Sequence, residues 1–276
     1  MIFGGIPYFL GMLDHELTLS ENAGRLLGGK AHRSAGHEFL FSSLFRNREN
    51  CRKTVALFTE RLTGLTENEI SQGTGLCGHA LSEVLRDLIL GDFIRCHAAP
   101  GERQDSLSYQ LSDMLTLFCL RFKGGQGDGT RSPEGIPAPW KDCAWADYAF
   151  TQACLRHLPQ IKEKLVLSSV LCNACAMSLR PYTDGGGREC KGAKINLILE
   201  RGDSVLNICE IRYSGEELVI DSEYAGKLRT EKEALRKHDS CGKSFRRTFI
   251  TQHGVSKDSC CGIADSEVRL DDLFAG

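Results

Sequence analysis

The stretch INLILERGDSVLNICEIRYS, residues 195 to 214, constrains the fold of this chain more than any other segment. Both of its halves are rich in apolar and β-branched residues and read as strands, and residues 202 to 204 separate them as a short turn would. The pattern predicts a β-hairpin with a three-residue loop. In that register Asn196 lies opposite Glu210, and Arg212 shares a strand face with Glu210 because the two are two residues apart.

One face of the hairpin is expected to lie mostly in the core, and the other face is expected to carry a cluster of polar groups. Glu210, Arg212 and Asn196 are assigned to the polar face, which periodicity alone predicts to be a cluster of charged and amide groups. The apolar face is expected to pack in the core, and its members are Ile195, Leu197, Leu199, Val205, Cys209 and Ile211.

Composition excludes several classes of protein. The formal net charge of the 276 residues is -2, so any contact with nucleic acid must come from local basic patches. The apolar runs are shorter than the roughly 20 residues of a membrane span, so no membrane partner is expected. The 13 cysteines are odd in number and follow no secretory leader. We therefore expect reduced thiols and a cytoplasmic protein.

Two short motifs imitate ligand sites. Cys172 and Cys175 form a CxxC, but SSVLCNACAMSLR reads as a strand, on which residues three apart point to opposite faces. Residues 24 to 31, GRLLGGKA, have the glycine and lysine spacing of a phosphate-binding loop. Ala31 stands where that loop requires Ser or Thr, and no buried strand precedes it. Neither zinc nor ATP is expected at these positions.

Composition and turn signals divide the chain into four parts. Residues 1–50 are predicted to be a helical segment left over from a larger domain. Residues 51–122 are predicted to be a unit of three helices followed by two strands. Residues 123–139 are rich in Gly and Pro and are predicted to be a linker. Residues 140–276 alternate helix and strand, which is typical of an α/β layer. The expected fold class is therefore a multidomain α+β and α/β protein.

The unit at 51–122 has the pattern of a winged helix, a variant of the helix-turn-helix. Thr66 followed by Glu69 predicts a capping box at the start of the second helix. Two strands, FIRCH and LSYQL, follow the third helix and flank a polar hairpin. Leu81, Val84, Leu85 and Leu88 are expected to line one face of the third helix.

A winged helix predicts DNA contact through its third helix and its wing. Arg86 on the helix and Arg95 and Arg103 in the ribbon are the cations suited to phosphates. Glu83 and Asp87 lie on the same helix and oppose such a contact. The alternative is a unit that binds another protein or serves as a spacer.

The hairpin at 195–214 resembles the core of the PD-(D/E)xK nuclease superfamily. In that superfamily an Asp on one strand and the Glu of an E-x-K on the next hold magnesium, and the Lys activates water. Over nearly its whole length, the chain resembles the C-terminal portion of a family of prokaryotic AAA+ ATPases of uncharacterised role. The matching stretches are FGGIPYFLGML, GLTENEISQGTGL, GDFIRC, CLRHLPQIK, CEIRYS, TFITQHGV and SEVRLDDLF.

The resemblance implies an ATPase lid remnant, a winged helix and a nuclease-like domain, with the ATP site of the family upstream of Met1. ATP hydrolysis by this chain is therefore not expected, and an ATPase core becomes a candidate partner. In the nuclease pattern Asn196 replaces the Asp, Arg212 replaces the Lys and Thr151 replaces a helix Glu. Only Glu210 of the pattern is kept. An amide and a permanently charged guanidinium make a poor magnesium site.

Three functions are consistent with these residues. The first is a non-catalytic nucleic-acid-associated module, whose phosphate contacts would be Arg212, Lys194, Lys243, Arg246 and Arg247. The second is a Mg²⁺-dependent DNA endonuclease that uses Glu210 and recruits a carboxylate such as Glu200 or Asp147. The third is a protein-interaction module for an ATPase core or a second copy, whose apolar surface would be Phe3, Phe9, Phe39 and Phe45.

Overall fold

A computed structural model describes residues 7–18, 21–22, 25, 44–60, 64–97, 107–123, 143–179, 182–183, 189–190, 193–238, 242–258 and 262–275. The chain divides into two compact units, and the division falls between Ala149 and Phe150. Both units mix helices and sheets, as the expected α+β class requires. The segment 24–31, which has the spacing of a phosphate-binding loop, lies outside the described residues apart from Arg25. Residues 37–43 and 124–142 also lie outside them.

The described residues of the first unit include the single turn α1 (Pro7–Leu10), four longer helices and three short strands. The helices are α2 (Arg48–Glu60), α3 (Glu67–Thr74), α4 (Gly78–Leu90) and α5 (Met114–Lys123). The strands are β1 (Leu65–Thr66), β2 (Ile94–His97) and β3 (Ser108–Leu111). They form an antiparallel sheet in the order β1-β3-β2. The sequence patterns predict α2, α3 and α4 and the strands β2 and β3, but not β1 or α5.

Local signals in the sequence account for the helix boundaries of this unit. The predicted capping box is confirmed, because Thr66 accepts from the backbone of Glu69 and the Glu69 carboxylate accepts from the backbone of Thr66. Gly75 ends α3 in the left-handed conformation that glycine tolerates best. The predicted apolar face of α4 is also confirmed, since its four leucine and valine side chains are all buried.

The predicted exposure of Phe45 is wrong. Its side chain is buried and packs edge-on against Phe93, with ring centroids 5.1 Å apart. The neighbouring Leu44 is exposed instead. Phe3 and Phe39 lie outside the described residues, and so does the side chain of Phe9. The proposed aromatic surface therefore lacks Phe45, because burial against Phe93 removes that ring from water.

The second unit is built on a five-stranded mixed sheet in the order β10-β9-β8-β7-β4. Its larger strands are β4 (Cys172–Leu179), β7 (Ala193–Arg201), β8 (Val205–Arg212), β9 (Ser244–Thr251) and β10 (Ser266–Arg269). The short strands β5 (Tyr182–Thr183) and β6 (Glu189–Cys190) pair separately. The helices are α6 (Cys143–Arg156), which begins in the first unit, α7 (Leu158–Lys164) and α8 (Ser222–His238), followed by a 3₁₀ turn (Leu270–Leu273).

The predicted hairpin and its register are confirmed. Strands β7 and β8 are antiparallel, Leu197 pairs with Cys209, and residues 202–204 form the loop. Ser204 adopts φ 63°, a left-handed conformation that is common at the last position of a three-residue hairpin loop. Strand β8 then connects through α8 to β9, which lies beside it in parallel.

Helices lie on both faces of this sheet, so the alternation along each strand separates two cores. Side chains of α6 and α7 pack with Leu197, Cys209 and Ile211. Side chains of α8 pack with Ile198 and Ile208 on the opposite face. Phe249 packs against residues nearer the start of the same helix. Position along β8 therefore decides which helix a residue meets.

One predicted face assignment is wrong. Ile195 packs with Ile198 on the α8 side rather than with Leu197. The cause is a bulge in β7, because Cys175 pairs with Ile198 whereas Met177 pairs with Ile195. Two residues of β7 then oppose one residue of β4, and alternation is interrupted between them.

The CxxC cysteines lie on β4 and point to opposite sheet faces, as predicted. Cys172 belongs to the core beneath α6 and Cys175 to the core beneath α8. Burial raises the pKa of both thiols, that of Cys175 to about 12. Both are therefore neutral packing residues at physiological pH. Among the described residues, no helix is both long and apolar enough to cross a membrane.

Candidate functional site

The candidate site is centred on Glu210, which lies near the end of β8 on the sheet face covered by α8. Its side chain is 13% exposed. It has this orientation because Ile208, two residues earlier, packs beneath α8, and alternation sends Glu210 to the same side. The carboxylate therefore lies in a partly buried position between the sheet and the helix.

One oxygen of Glu210 accepts from two neighbouring side chains. Its Oε1 lies 3.0 Å from Nε and 2.9 Å from Nη2 of Arg212. The hydroxyl of Tyr224, from the first turn of α8, donates to the same oxygen over 2.8 Å. Arg212 Nε also donates to that hydroxyl over 3.1 Å, and its guanidinium lies 5.7 Å from the Tyr224 ring centroid. The three side chains thus form a closed triangle.

The other oxygen of Glu210 faces a buried arginine. Arg247 Nη1 lies 3.8 Å from Glu210 Oε2 and 3.0 Å from Glu231 Oε2, and the Arg247 side chain is only 3% exposed. Its Nη2 donates to the carbonyl of Leu228 over 2.9 Å. Arg247 reaches this position because β9 lies beside β8 in parallel, with Arg247 paired to Ile208.

Burial and neighbouring charges act on the proton equilibria of this cluster. Burial, followed by the negative charge of Glu210, raises the pKa of Glu231, while Arg247 acts in the opposite direction. Burial and Glu210 likewise raise the pKa of the Tyr224 hydroxyl. Tyr224 therefore remains a neutral hydrogen-bond donor to the Glu210 carboxylate at physiological pH.

The residues around Glu210 do not fit the magnesium ion that the nuclease resemblance implies. Magnesium requires several oxygen ligands. Arg212 and Arg247 offer Glu210 only N–H donors and positive charge, and Tyr224 donates its hydroxyl to it. The nearby Glu231 carboxylate is itself paired with Arg247. In the described part of the chain, no group of three or more His, Cys, Asp or Glu side chains could hold a metal ion. The donor set favours an internal charge network over a metal centre.

The other residues of the predicted nuclease pattern do not join this cluster among the described contacts. The β7–β8 ladder reaches Leu197 opposite Cys209, and Asn196 and Glu210 are the next positions along the two strands. Glu210 is bound by Arg212, Tyr224 and Arg247 and not by Asn196. Thr151 is buried in α6, which packs on the opposite face of the sheet.

The predicted phosphate-binding cations lie in different environments. Arg86 and Arg246 are exposed, Arg95 lies 3.9 Å from Asp92 and is 22% exposed, and Lys243 is paired with Glu200. Arg247 is buried in the Glu210 cluster and so is directed away from the outer surface. Arg103 and the side chain of Lys194 lie outside the described residues.

Sequence reasoning missed Tyr224 and Glu231 and placed Arg247 on the surface. A signal for Glu231 exists in α8, where positions 224, 228, 231 and 235 follow the spacing of one helix face. Leu228 and Leu235 on that face are buried, so an acidic residue between them indicates an internal partner. The partner itself could not be identified, because Arg247 is 16 residues further along the chain.

Comparison with protein-family models, with curated proteins and with solved structures finds no match to this chain.

Proposed function

We propose that this protein is a non-catalytic module that associates with nucleic acid. The first unit would be a winged helix and the second a degenerate PD-(D/E)xK-like domain derived, with the rest of the chain, from an AAA+ ATPase. The absence of catalysis is inferred from the contacts of the Glu210 carboxylate, which is bound by two arginines and a tyrosine.

The order of elements in the first unit supports the winged-helix part of the proposal. Helices α2, α3 and α4 are followed by the antiparallel ribbon β2–β3, with β1 completing the sheet. In such a unit α4 would be the helix that approaches DNA. Arg86 is on its exposed side, where it lies 3.6 Å from Asp87 in an ion pair with most of the arginine open to water.

Binding to DNA is tested by fluorescence anisotropy with a labelled duplex across a salt series. Each phosphate that a cation neutralises adds about -0.9 to the slope of log K against log salt. We expect Arg86→Gln to weaken binding and to reduce that slope by about 0.9, because it removes one cation from α4. Arg48→Gln removes an exposed charge from the start of α2 and serves as the matched control.

Two results would reject the nucleic-acid part of the proposal. One is the absence of salt-sensitive binding by the wild-type chain. The other is an equal loss of affinity in Arg86→Gln and Arg48→Gln, which would remove α4 from the interface.

Loss of catalysis is tested by incubating supercoiled plasmid with Mg²⁺ or Mn²⁺. Neither the wild-type protein nor Glu210→Ala is expected to nick the plasmid, because arginine and tyrosine donors surround the carboxylate. Metal-dependent nicking by the wild type that Glu210→Ala abolishes would establish the endonuclease alternative.

A protein partner is a second candidate, and a specific observation favours it. In the last turn of α4, Ile89 is 40% exposed and Leu90 is 78% exposed. The exposed Glu83 precedes them on the same helix. Aliphatic side chains and a carboxylate suit a protein surface better than a phosphate backbone. Concentration-dependent association in sedimentation velocity that Leu90→Ser removes, with DNA affinity unchanged, would support this candidate.

A further inference from the structure

The second unit has an open cleft that lies apart from the Glu210 cluster. It opens between the end of α8 and the start of β9 and has a volume of about 430 Å³. That size is within the range of small-ligand sites in proteins. Ser244 in the cleft pairs with Val205, and five residues of extended strand, about 17 Å, separate Val205 from Glu210. We call this feature the α8–β9 cleft, and the described residues that line it are Arg236, Gly242, Lys243, Ser244 and Phe245.

Arg236 is the principal cation of the α8–β9 cleft. Its guanidinium lies 6.0 Å from the centroid of the Phe245 ring, and Phe245 itself packs against the core beneath α8. Arg236 is exposed, and within the described residues no carboxylate forms an ion pair with it. The ring therefore supports one side of the guanidinium, and no described residue is recorded as a partner of its other side or edge.

The second cation of the cleft is already neutralised. Lys243 is paired with Glu200 of β7, and both side chains are about three-quarters buried. Among the described groups at the cleft, the pair contributes no net charge and Arg236 contributes one positive charge. The balance of these described groups matches a phosphodiester, which carries one negative charge, better than a terminal phosphate, which carries nearly two at neutral pH.

The wall of the cleft gives a phosphate room to approach. Gly242 has φ 65°, a conformation that favours glycine, and a Cβ built there would meet no atom within 4 Å. Ser244 is exposed and its hydroxyl is a further hydrogen-bond donor. Among the described lining residues, the small side chains, the Ser244 hydroxyl and one net positive charge are suited to a single anionic group.

We propose that the α8–β9 cleft binds one internal phosphodiester of a single nucleic-acid strand, with an unpaired base stacked on the Arg236 guanidinium. An aromatic ring behind an arginine is a surface on which a base can stack, and only an unpaired base exposes its face for this contact. The inference depends on the proposed association with nucleic acid. It adds a second contact site and specifies the form of the strand.

The test compares Arg236→Gln with Arg229→Gln in the full chain. Arg229 is exposed on the same helix, seven residues or about 10.5 Å earlier, and lies outside the cleft lining. The probes are a fluorescein-labelled oligothymidylate and a labelled duplex, each titrated between about 50 and 200 mM salt. Circular dichroism of each variant checks that the fold is kept.

We expect Arg236→Gln to bind the oligothymidylate about tenfold more weakly, because both the charge and the stacking surface are lost. Its salt slope should fall by about 0.7, the value for one phosphate of a single strand. Arg236→Lys should keep that slope because it keeps the charge, and Arg229→Gln should match the wild type.

Each alternative outcome separates the cleft from the proposed function. Equal oligothymidylate affinity and slope in Arg236→Gln and the wild type, with duplex binding present, would overturn the cleft and leave the proposed function standing. Absence of binding to either probe by the wild type would overturn both. Equal weakening of oligothymidylate binding by Arg236→Gln and Arg229→Gln would also overturn the proposal for the cleft. It would mean that any exposed cation of α8 contributes equally to binding.

Discussion

Replacing Arg247 with methionine should destabilise the second unit in a way that depends on pH. The arginine is buried and lies between two carboxylates, 3.0 Å from Glu231 and 3.8 Å from Glu210. Methionine replaces only the aliphatic stem of arginine and carries no charge, so Arg247→Met leaves both carboxylates without their shared cation. The carbonyl of Leu228 also loses a hydrogen-bond donor.

The distances set the scale of the effect. At an effective dielectric constant of about 20, the 3.0 Å contact corresponds to roughly 5.5 kcal/mol of attraction before desolvation is subtracted. Removing one partner from a buried ion pair typically costs about 3–5 kcal/mol, because the remaining charge stays buried. We therefore expect the free energy of unfolding of Arg247→Met to fall by about 3–5 kcal/mol at pH 8.

The sign of the pH dependence follows from Glu231. Its pKa is already raised in the folded protein, and Arg247 is one of the groups that holds it down. In Arg247→Met the folded pKa rises further, so the folded state keeps a proton that the unfolded state, with a pKa near 4.5, has released. The free energy of unfolding then increases as the pH falls through this window, and the deficit relative to the wild type shrinks.

Urea denaturation followed by far-UV circular dichroism at pH 8 and pH 5 measures this deficit. Arg246→Met is the control, because Arg246 is the adjacent exposed arginine on β9. Adding Glu231→Gln to Arg247→Met should recover part of the loss at pH 8, since it removes one unpaired charge. A deficit below about 1 kcal/mol, or one of equal size at both pH values, would refute the buried-charge reasoning.

Three further predictions concern single features of the structure. Val166→Gly should raise the free energy of unfolding by about 1 kcal/mol, as measured from the midpoint of urea denaturation. Val166 follows the end of α7, is 84% exposed and adopts φ 58°. This left-handed conformation costs a residue other than glycine about 1–2 kcal/mol. Thr66→Ala should cost about 1 kcal/mol by removing the capping box of α3, measured in the same way. The double variant Asn196→Asp with Arg212→Lys should show no Mn²⁺-dependent rise in melting temperature, because Arg247 remains beside Glu210.

Conservative variants separate these effects from general damage. Val166→Ala keeps a Cβ in the left-handed conformation and should gain less than the glycine variant. Thr66→Ser keeps a hydroxyl and should retain most of the cap. A melting temperature that rises with Mn²⁺ in the double variant would mean that the two substitutions, rather than the buried network, decide metal binding.

Local patterns in the sequence were sufficient for much of the architecture. The capping box at Thr66, the buried face of α4 and the register of the β7–β8 hairpin all depend on residues within a few positions of one another. The position of Phe45 was not predictable in this way, since its burial depends on Phe93, which is 48 residues further along. The two-residue strand β1 also exists only because β3 pairs with it.

The sequence by itself determined that Glu210 and Arg212 share a strand face, because alternation along a strand is a property of the backbone. Only the tertiary structure decided what that face meets. Strand β9 lies beside β8 and α8 covers both, which brings Arg247, Glu231 and Tyr224 to the carboxylate. These partners are distant in sequence, and burial makes their charges interact strongly, so an E-x-R motif becomes an internal ion network rather than an open site.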